Sequence, residues 1–248
     1  MLTATYAILF YLATALLLAG LLVKVVQYAR APAPLKIPTM PAPLTRRGVG
    51  LRILREIVLF ESLFKSNKWI WLFGWVFHAA LLLALLRHLR YFLNPGWGWP
   101  VWDWVVLVQP FGMYAGFAML GGLAALWGRR IVVQRIRYIS TPSDHLMLVL
   151  LIGIAASGLG LRYVARTDIV ALKQFVLGLI RFDWQPMPAD PALMLHLGLV
   201  ILLMIVFPFS KLLHAPGLLF SPTRNQTDDA RERRHLAPWA ARLEAGGE

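Results

Sequence analysis

Cysteine is absent from all 248 residues of this sequence. Without thiols the chain forms no disulfide, binds no iron–sulfur cluster through thiolates and offers no cysteine-based zinc site. Acidic residues are also scarce, with 12 Asp and Glu against 25 Lys and Arg. The long apolar stretches of the chain contain no Asp or Glu, which argues against a transporter that binds ions through carboxylates inside a membrane.

Apolar residues, in contrast, are abundant. They make up 58% of the sequence, with a mean hydropathy of +0.62, which is too apolar for a water-soluble domain of this length. A membrane-spanning helix needs roughly 20 mostly apolar residues. Five stretches approach that length, and they are 3–23, 69–86, 105–127, 146–161 and 192–210. The sequence therefore predicts an all-α integral membrane protein, with a five-helix domain over 1–220 and a charged tail over 221–248.

The basic residues are unevenly placed between these stretches. Nine lie between the first two stretches, four between the third and fourth, and six at the C-terminal end, while the other two connections hold six together. Because Lys and Arg mark cytoplasmic loops, we predict an N-terminus outside and a cytoplasmic C-terminus. Lys24 directly follows the first stretch, which indicates a retained helix rather than a cleaved signal. The distribution of Lys and Arg thus indicates the membrane topology rather than a nucleic-acid partner. Two interpretations remain open: the basic residues only set this topology, or they also form a docking surface for a cytoplasmic partner.

Two shorter segments show the periodicity of amphipathic surface helices. Segment 46–68 follows the proline-rich stretch 31–43, and its apolar face comprises Leu51, Leu54, Val58 and Leu59. Segment 171–182 is predicted to cover the outer side, with the apolar positions Leu172, Phe175, Val176, Leu179 and Ile180. The loop 94–104 is rich in tryptophan and proline, as is typical of the membrane interface.

Four histidines accompany the second and fifth apolar stretches. His78 and His88 are ten residues apart, and His196 and His214 eighteen. The two helices are antiparallel, so depth pairs His78 with His214 near the cytoplasmic side and His88 with His196 near the outside. Ten residues of helix rise about 15 Å and eighteen about 27 Å. This mismatch requires tilt or bending, for which Pro208 supplies a cause.

Two imidazoles from facing helices are the axial ligands that a haem takes, whereas zinc needs three or four protein ligands. The sequence therefore predicts two non-covalent haem b groups, each with two histidine ligands. Arg87, Arg90 and Lys211 stand beside the histidines as partners for the haem propionates. The alternative is that intramembrane histidines act in hydrogen bonding or proton relay.

The two remaining histidines are not predicted as ligands. His145 follows Ser143 and Asp144, either of which can cap the fourth helix, and we assign His145 a capping or interfacial role. His235 lies in the charged tail, where it is expected to be solvated.

Two motifs carry a resemblance to a known family. Residues 196–214 read HLGLVILLMIVFPFSKLLH, and residues 73–88 read FGWVFHAALLLALLRH. The two histidine intervals and the FPFS element resemble the gamma subunits of respiratory nitrate reductase, the NarI-like dihaem cytochromes b, over about residues 1–220. Residues 60–92 (FESLFKSNKWIWLFGWVFHAALLLALLRHLRYF) and the TPSDH element are more similar to the DsrM-like members, which belong to the Dsr membrane complex of sulfur metabolism.

The resemblance implies an electron-transfer subunit of a quinone-linked oxidoreductase complex in a bacterial cytoplasmic membrane. The quinone, which is either menaquinone or ubiquinone, would react near the outer haem. A DsrM-like subunit further implies a cytoplasmic iron–sulfur partner of the heterodisulfide-reductase-like DsrK type, with other membrane and periplasmic subunits. The alternatives are a nitrate reductase gamma subunit or, in another class, a histidine-containing transporter or a non-redox anchor.

The expected quinone contact departs from the family pattern. Family members tend to place a lysine near the start of the third helix, where this chain has Gln109 and no lysine. No catalytic residue is predicted. The candidates for contact with quinone at that depth are Arg90, Tyr91, Asp103, Gln109 and Lys173.

Overall fold

The structure is a computed structural model that describes residues 1–33, 35–94, 96, 101–228 and 242, without the side chain of Val101. His235 and most of the predicted tail therefore lie outside the described residues. Every regular element in the described part is helical. In chain order the helices are α1 (Leu2–Arg30), α2 (Arg46–Leu59), α3 (Glu61–Ser66), α4 (Lys68–His88), α5 (Val101–Val132), α6 (Gln134–Ile139), α7 (Pro142–Gly160), α8 (Ile169–Arg181), α9 (Pro191–Val206), α10 (His214–Gly217) and α11 (Pro222–Asn225).

Helices α1, α4, α5, α7 and α9 are long and apolar enough to cross a membrane. They coincide with the five predicted stretches, so the prediction of a five-helix, all-α membrane protein is confirmed. Most are longer than the uncharged stretch that identified them. Helix α4, for example, continues as a 3-10 turn to Tyr91, and α7 continues as a π-helical turn to Ala165.

The chain divides into two compact units. The first comprises Met1–Leu17 and Leu63–Val206, and the second comprises Leu18–Ser62 and Phe207–Glu248. In the first unit α4 packs on α5, α5 on α7 and α7 on α9. Gly122 permits the close approach of α5 to α4, because a Cβ there would lie 3.1 Å from the Phe73 carbonyl oxygen.

Helix α8 confirms the surface helix predicted over 171–182. Asp168 caps its N-terminus by accepting hydrogen bonds from the backbone of the first turn. Leu172 and Phe175 are buried together with Leu193 in an apolar cluster. Tyr11 of α1 donates a hydrogen bond to the Leu179 carbonyl at 2.8 Å. The apolar face of α8 therefore packs against the rest of this unit.

The fourth span begins one turn earlier than its uncharged stretch. Thr141 caps α7, Pro142 follows it, and Asp144 reaches back to the Thr141 backbone N–H at 3.0 Å. Neither Ser143 nor Asp144 is therefore the cap residue that the sequence suggested. Asp144 is instead the reciprocal partner in a capping box.

The segment 46–68 is not the single surface helix that the sequence predicted. Helix α2 ends at Leu59, and Phe60 adopts a left-handed conformation with φ of 51°. The Glu56 carboxylate accepts a hydrogen bond from the Ser62 backbone N–H at 3.2 Å, which holds the turn. The apolar residues predicted for one face of α2 are between 51% and 57% exposed, and they are Leu51, Leu54, Val58 and Leu59.

The fifth span also ends earlier than a continuous helix to His214 would require. Helix α9 stops at Val206, Pro208 lies in a 3-10 turn, and Ser210 caps a second 3-10 turn that leads to His214. Pro208 has no N–H for a helical hydrogen bond. His196 and His214 are therefore not joined by one continuous helix, and the interruption expected from Pro208 is present.

Candidate functional site

Three of the four candidate ligand histidines contact a main-chain carbonyl in the preceding turn through Nδ1. The pairs are His78 with Gly74 (2.7 Å), His88 with Ala84 (2.6 Å) and His214 with Lys211 (3.0 Å). A carbonyl oxygen only accepts, so each Nδ1 carries a hydrogen and donates it. In a neutral imidazole this leaves the lone pair on Nε2, the nitrogen that then binds a metal.

His196 reaches the same state through a side chain. It is 9% exposed, and its Nδ1 lies 2.9 Å from the Ser157 hydroxyl of α7. That hydroxyl donates its own hydrogen to the Ile154 carbonyl at 3.1 Å. Ser157 therefore accepts from His196, whose lone pair again lies on Nε2.

The helices that carry three of these histidines have different neighbours. Helix α4, with His78 and His88, packs on α5, whereas α9, with His196, packs on α7. Among the described residues α4 and α9 have no extensive backbone contact with each other. The two candidate ligand sites on α4 and α9 are thus carried by helices that are each packed on a different neighbour.

The donor set also fits haem better than a metal held by protein alone. Within the described ranges no three His, Cys, Asp or Glu side chains lie together, as zinc would require.

In the second unit His214 lines an open cleft of about 440 Å³. Lys211 and Tyr28 line the same cleft. Lys211 thus stands beside a candidate ligand, as a propionate partner should.

Arg87 and Arg90, the other predicted propionate partners, are both tied to α5. Arg87 donates a hydrogen bond to the Gln109 carbonyl at 3.0 Å, and Arg90 donates to the Gln109 side-chain oxygen at 3.3 Å. Gln109 also donates to the Val105 carbonyl at 3.0 Å. These contacts place two guanidinium groups beside His88 at the end of α4.

Next to them lies a cleft of about 160 Å³ lined by Arg90, Trp102, Val105, Val106 and Gln109. It joins the end of α4 to the start of α5. The structure thus brings together two of the predicted quinone contacts, Arg90 and Gln109.

The other three predicted contacts are placed differently. The ammonium group of Lys173 on α8 lies 5.0 Å from the centre of the Trp102 ring. Burial, and then the charge of Arg90, lower the pKa of Lys173 below its usual value. The Tyr91 ring is 6.0 Å from that of His88. Asp103 is exposed in the first turn of α5 and does not line the cleft.

Two residues at these sites were not singled out from the sequence. Trp102 was assigned only to an interfacial belt, yet it lines the cleft and contacts Lys173. Ser157 is a hydroxyl within the apolar helix α7, and such a group must find a hydrogen-bond partner inside a membrane. That requirement was the signal available for Ser157, but it did not identify the partner.

Comparison with known proteins identifies the family of the chain. The family described as nitrate reductase gamma subunit matches residues 61–243. The chain is 35% identical to an Hdr-like menaquinol oxidoreductase cytochrome b-like subunit of Archaeoglobus fulgidus, over 92% of this chain and 81% of that protein. The protein of the same description from Archaeoglobus profundus is 34% identical over 92% and 80%. The respiratory nitrate reductase 1 gamma chain of Escherichia coli is 28% identical over 56% and 68%. The chain therefore belongs to the nitrate reductase gamma subunit family.

Proposed function

We propose that this chain is the dihaem cytochrome b subunit of a menaquinol-linked oxidoreductase complex in a cytoplasmic membrane. The observation that carries the proposal is the common state of four imidazoles. Each donates its Nδ1 hydrogen to a nearby oxygen, so that Nε2 is the ligating nitrogen. This state places the lone pair on Nε2, the nitrogen through which histidine binds a metal, at all four positions.

The proposed ligand pairs are His88 with His196 and His78 with His214. Both pairs are supported by the antiparallel order of the helices and by family membership. Arg87 and Arg90 would hold propionates of the first haem, and Lys211 those of the second. When bound, the haems would supply one-electron transfer.

We further propose that the cleft beside Arg90 binds the quinone headgroup. Arg90, held by the side-chain oxygen of Gln109, offers hydrogen-bond donors to a quinone oxygen, and Trp102 offers a flat face for stacking. Oxidation of a quinol also releases two protons, and a basic residue near the headgroup can accept one of them while the other passes to water. Lys173 is suited to that role because its lowered pKa increases the fraction of neutral amine, the form that can accept a proton.

The partner is proposed to be an iron–sulfur protein on the cytoplasmic side, of the heterodisulfide-reductase-like DsrK type. The relatives described as Hdr-like menaquinol oxidoreductase subunits support it. The abundance of Lys and Arg between the first two spans supports the same side for docking. A complex of sulfur metabolism is the proposed setting. A nitrate reductase gamma chain is the second candidate, supported by the more distant likeness to the Escherichia coli protein.

Single alanine variants of the four histidines test the proposal. The purified wild-type chain should hold two low-spin, six-coordinate haem b groups. H88A and H196A should each remove one and the same haem, and H78A and H214A the other, as read from the reduced-minus-oxidised spectrum and the haem-to-protein ratio. H235A is the matched control and should retain both.

Two outcomes would overturn it. A wild-type chain with one haem or none would end the dihaem proposal. Depletion of the same spectral component by H78A and H196A would show that the pairing is wrong. Purification with a molybdenum-containing partner would favour the nitrate reductase alternative.

A further inference from the structure

Ser157 places a hydroxyl on the Nδ1 of a candidate ligand histidine, His196. The Nδ1 atoms of His78, His88 and His214 donate to main-chain carbonyls. His196 donates to a side chain, the Ser157 hydroxyl at 2.9 Å, and the Ile154 main chain lies within hydrogen-bond reach of the same ring. A side-chain acceptor can be removed by substitution, so its effect on this one ligand is measurable.

The direction of the two hydrogen bonds at Ser157 follows from the Ile154 carbonyl, which is the last acceptor in the series. The Ile154 carbonyl lies 3.1 Å from the Ser157 hydroxyl and can only accept. We assign the single hydroxyl hydrogen to that carbonyl, so that the Ser157 oxygen accepts the Nδ1 hydrogen of His196. The result is a two-step relay from the imidazole to the main chain of α7.

The ring of His196 is also held sterically. A Cβ on Gly158 would lie 3.2 Å from Cε1 of His196 and 3.7 Å from its Nδ1. The imidazole thus rests against the backbone of α7 where Gly158 leaves room for it. The hydroxyl sets the rotation of the ring, and the glycine sets how closely α9 approaches.

We propose that Ser157 is a positioning residue that orients His196 as a ligand and, by accepting its Nδ1 hydrogen, lowers the midpoint potential of the haem bound there. This inference rests on the proposed function. An imidazole that donates a hydrogen bond is a more basic ligand, and a more basic ligand stabilises ferric iron relative to ferrous iron. The outer haem would then be tuned from α7 as well as by its two ligands.

Three substitutions at this position separate the hydroxyl from side-chain size. S157A removes the hydroxyl and little else. S157T and S157V have nearly the same shape, and only S157T retains a hydroxyl. S143A, on the same helix, is the control, because Ser143 is exposed and contacts Thr141 rather than a histidine. Each variant is purified as the full chain in detergent, its haem content is measured, and it is titrated potentiometrically under anaerobic conditions.

We expect S157A and S157V to raise the midpoint potential of the component that H196A abolishes and to leave the other component unchanged. S157T and S143A should titrate like the wild type. Loss of that haem alone in S157A and S157V, with retention in S157T, would equally support the positioning role.

Unchanged or lowered potentials in S157A and S157V would overturn the inference. An equal shift in S157T, or loss of the haem in S157T, would overturn it as well, because side-chain size would then be the cause. Failure of the proposed function is distinguishable, since the wild type would then lack haem or H196A would retain both groups.

Discussion

Trp127 of α5 donates a hydrogen bond from its indole nitrogen to Nδ1 of His145 on α7, at 3.1 Å. An indole N–H only donates, so Nδ1 of His145 is an acceptor. In the neutral ring the hydrogen then lies on Nε2, which is the opposite of the state found in the four candidate ligands. His145 is therefore a tether between α5 and α7 and does not present a ligating Nε2.

H145A should consequently retain both haems. The loss of one hydrogen bond should lower the free energy of unfolding by about 1 kcal/mol. Haem-to-protein ratio and thermal unfolding in detergent check both statements. W127F, which removes the donor from the other side, should behave in the same way. Loss of a haem from H145A with full haem content in W127F would contradict this assignment.

Quinone-site inhibitors should act on one haem only. They should shift the spectrum or the midpoint potential of the His88/His196 component, because the cleft lined by Arg90 and Gln109 lies beside His88. Q109A should weaken inhibitor binding by about 10-fold, the effect of one hydrogen bond of about 1.4 kcal/mol.

D103N is the control for this prediction, since Asp103 does not line the cleft. Its inhibitor Kd should stay within about 2-fold of the wild-type value, a difference well below one hydrogen bond. A perturbation confined to the His78/His214 component would place the quinone site near the other haem and contradict the proposal.

The ion pair between Arg224 and Glu56 should stabilise the second unit. The two groups are 2.9 Å apart, and their side chains are only 24% and 11% exposed. R224M would leave the Glu56 carboxylate half-buried without its cation, at a cost of roughly 1–3 kcal/mol. Tm in detergent should fall accordingly. R47M, at an exposed arginine, should change Tm little, and equal Tm values for the two variants would refute the prediction.

Acid should weaken the contact between Thr167 and Asp190. The Thr167 hydroxyl donates to the Asp190 carboxylate, and this bond, aided by backbone N–H groups, lowers the pKa of Asp190 below its usual value. A carboxyl with a lowered folded-state pKa stabilises the fold above its ordinary pKa of about 3.9. That contribution is lost as the pH falls through the folded-state pKa.

T167V should therefore show a smaller drop in Tm between neutral and acidic pH than the wild type does. T5V is the control, because the Thr5 hydroxyl donates to the Met1 carbonyl and not to a carboxylate. If Tm falls between neutral and acidic pH by the same amount in the wild type and in T167V, the hydrogen bond to the Asp190 carboxylate contributes nothing to the pH dependence of Tm.

The membrane-spanning helices and the histidine intervals could be read from the sequence alone. Twenty apolar residues have few stable arrangements in a bilayer other than a helix, because every backbone hydrogen bond has to be made within the segment. The positions of His78, His88 and His196 on these helices follow directly. Segment 171–182 was equally readable, because its apolar residues recur at helical spacing and one face is buried.

Other features required the tertiary structure. The break at Phe60 depends on Glu56 reaching Ser62, and the place where α9 ends depends on how the chain continues past Pro208. The sequence indicated a bend at Pro208, but propensity alone does not say whether a helix resumes after it.

Hydrogen-bond partners from distant parts of the chain were the least readable. Ser157 and His196 are 39 residues apart and lie on different helices. Helical periodicity relates only residues within one helix, so it does not indicate this contact. Apolar periodicity determines which residues enter the membrane, because burial depends on composition and local spacing. Which hydroxyl meets which imidazole depends on how two helices rotate and approach each other, and that is decided by the packing of all the side chains between them.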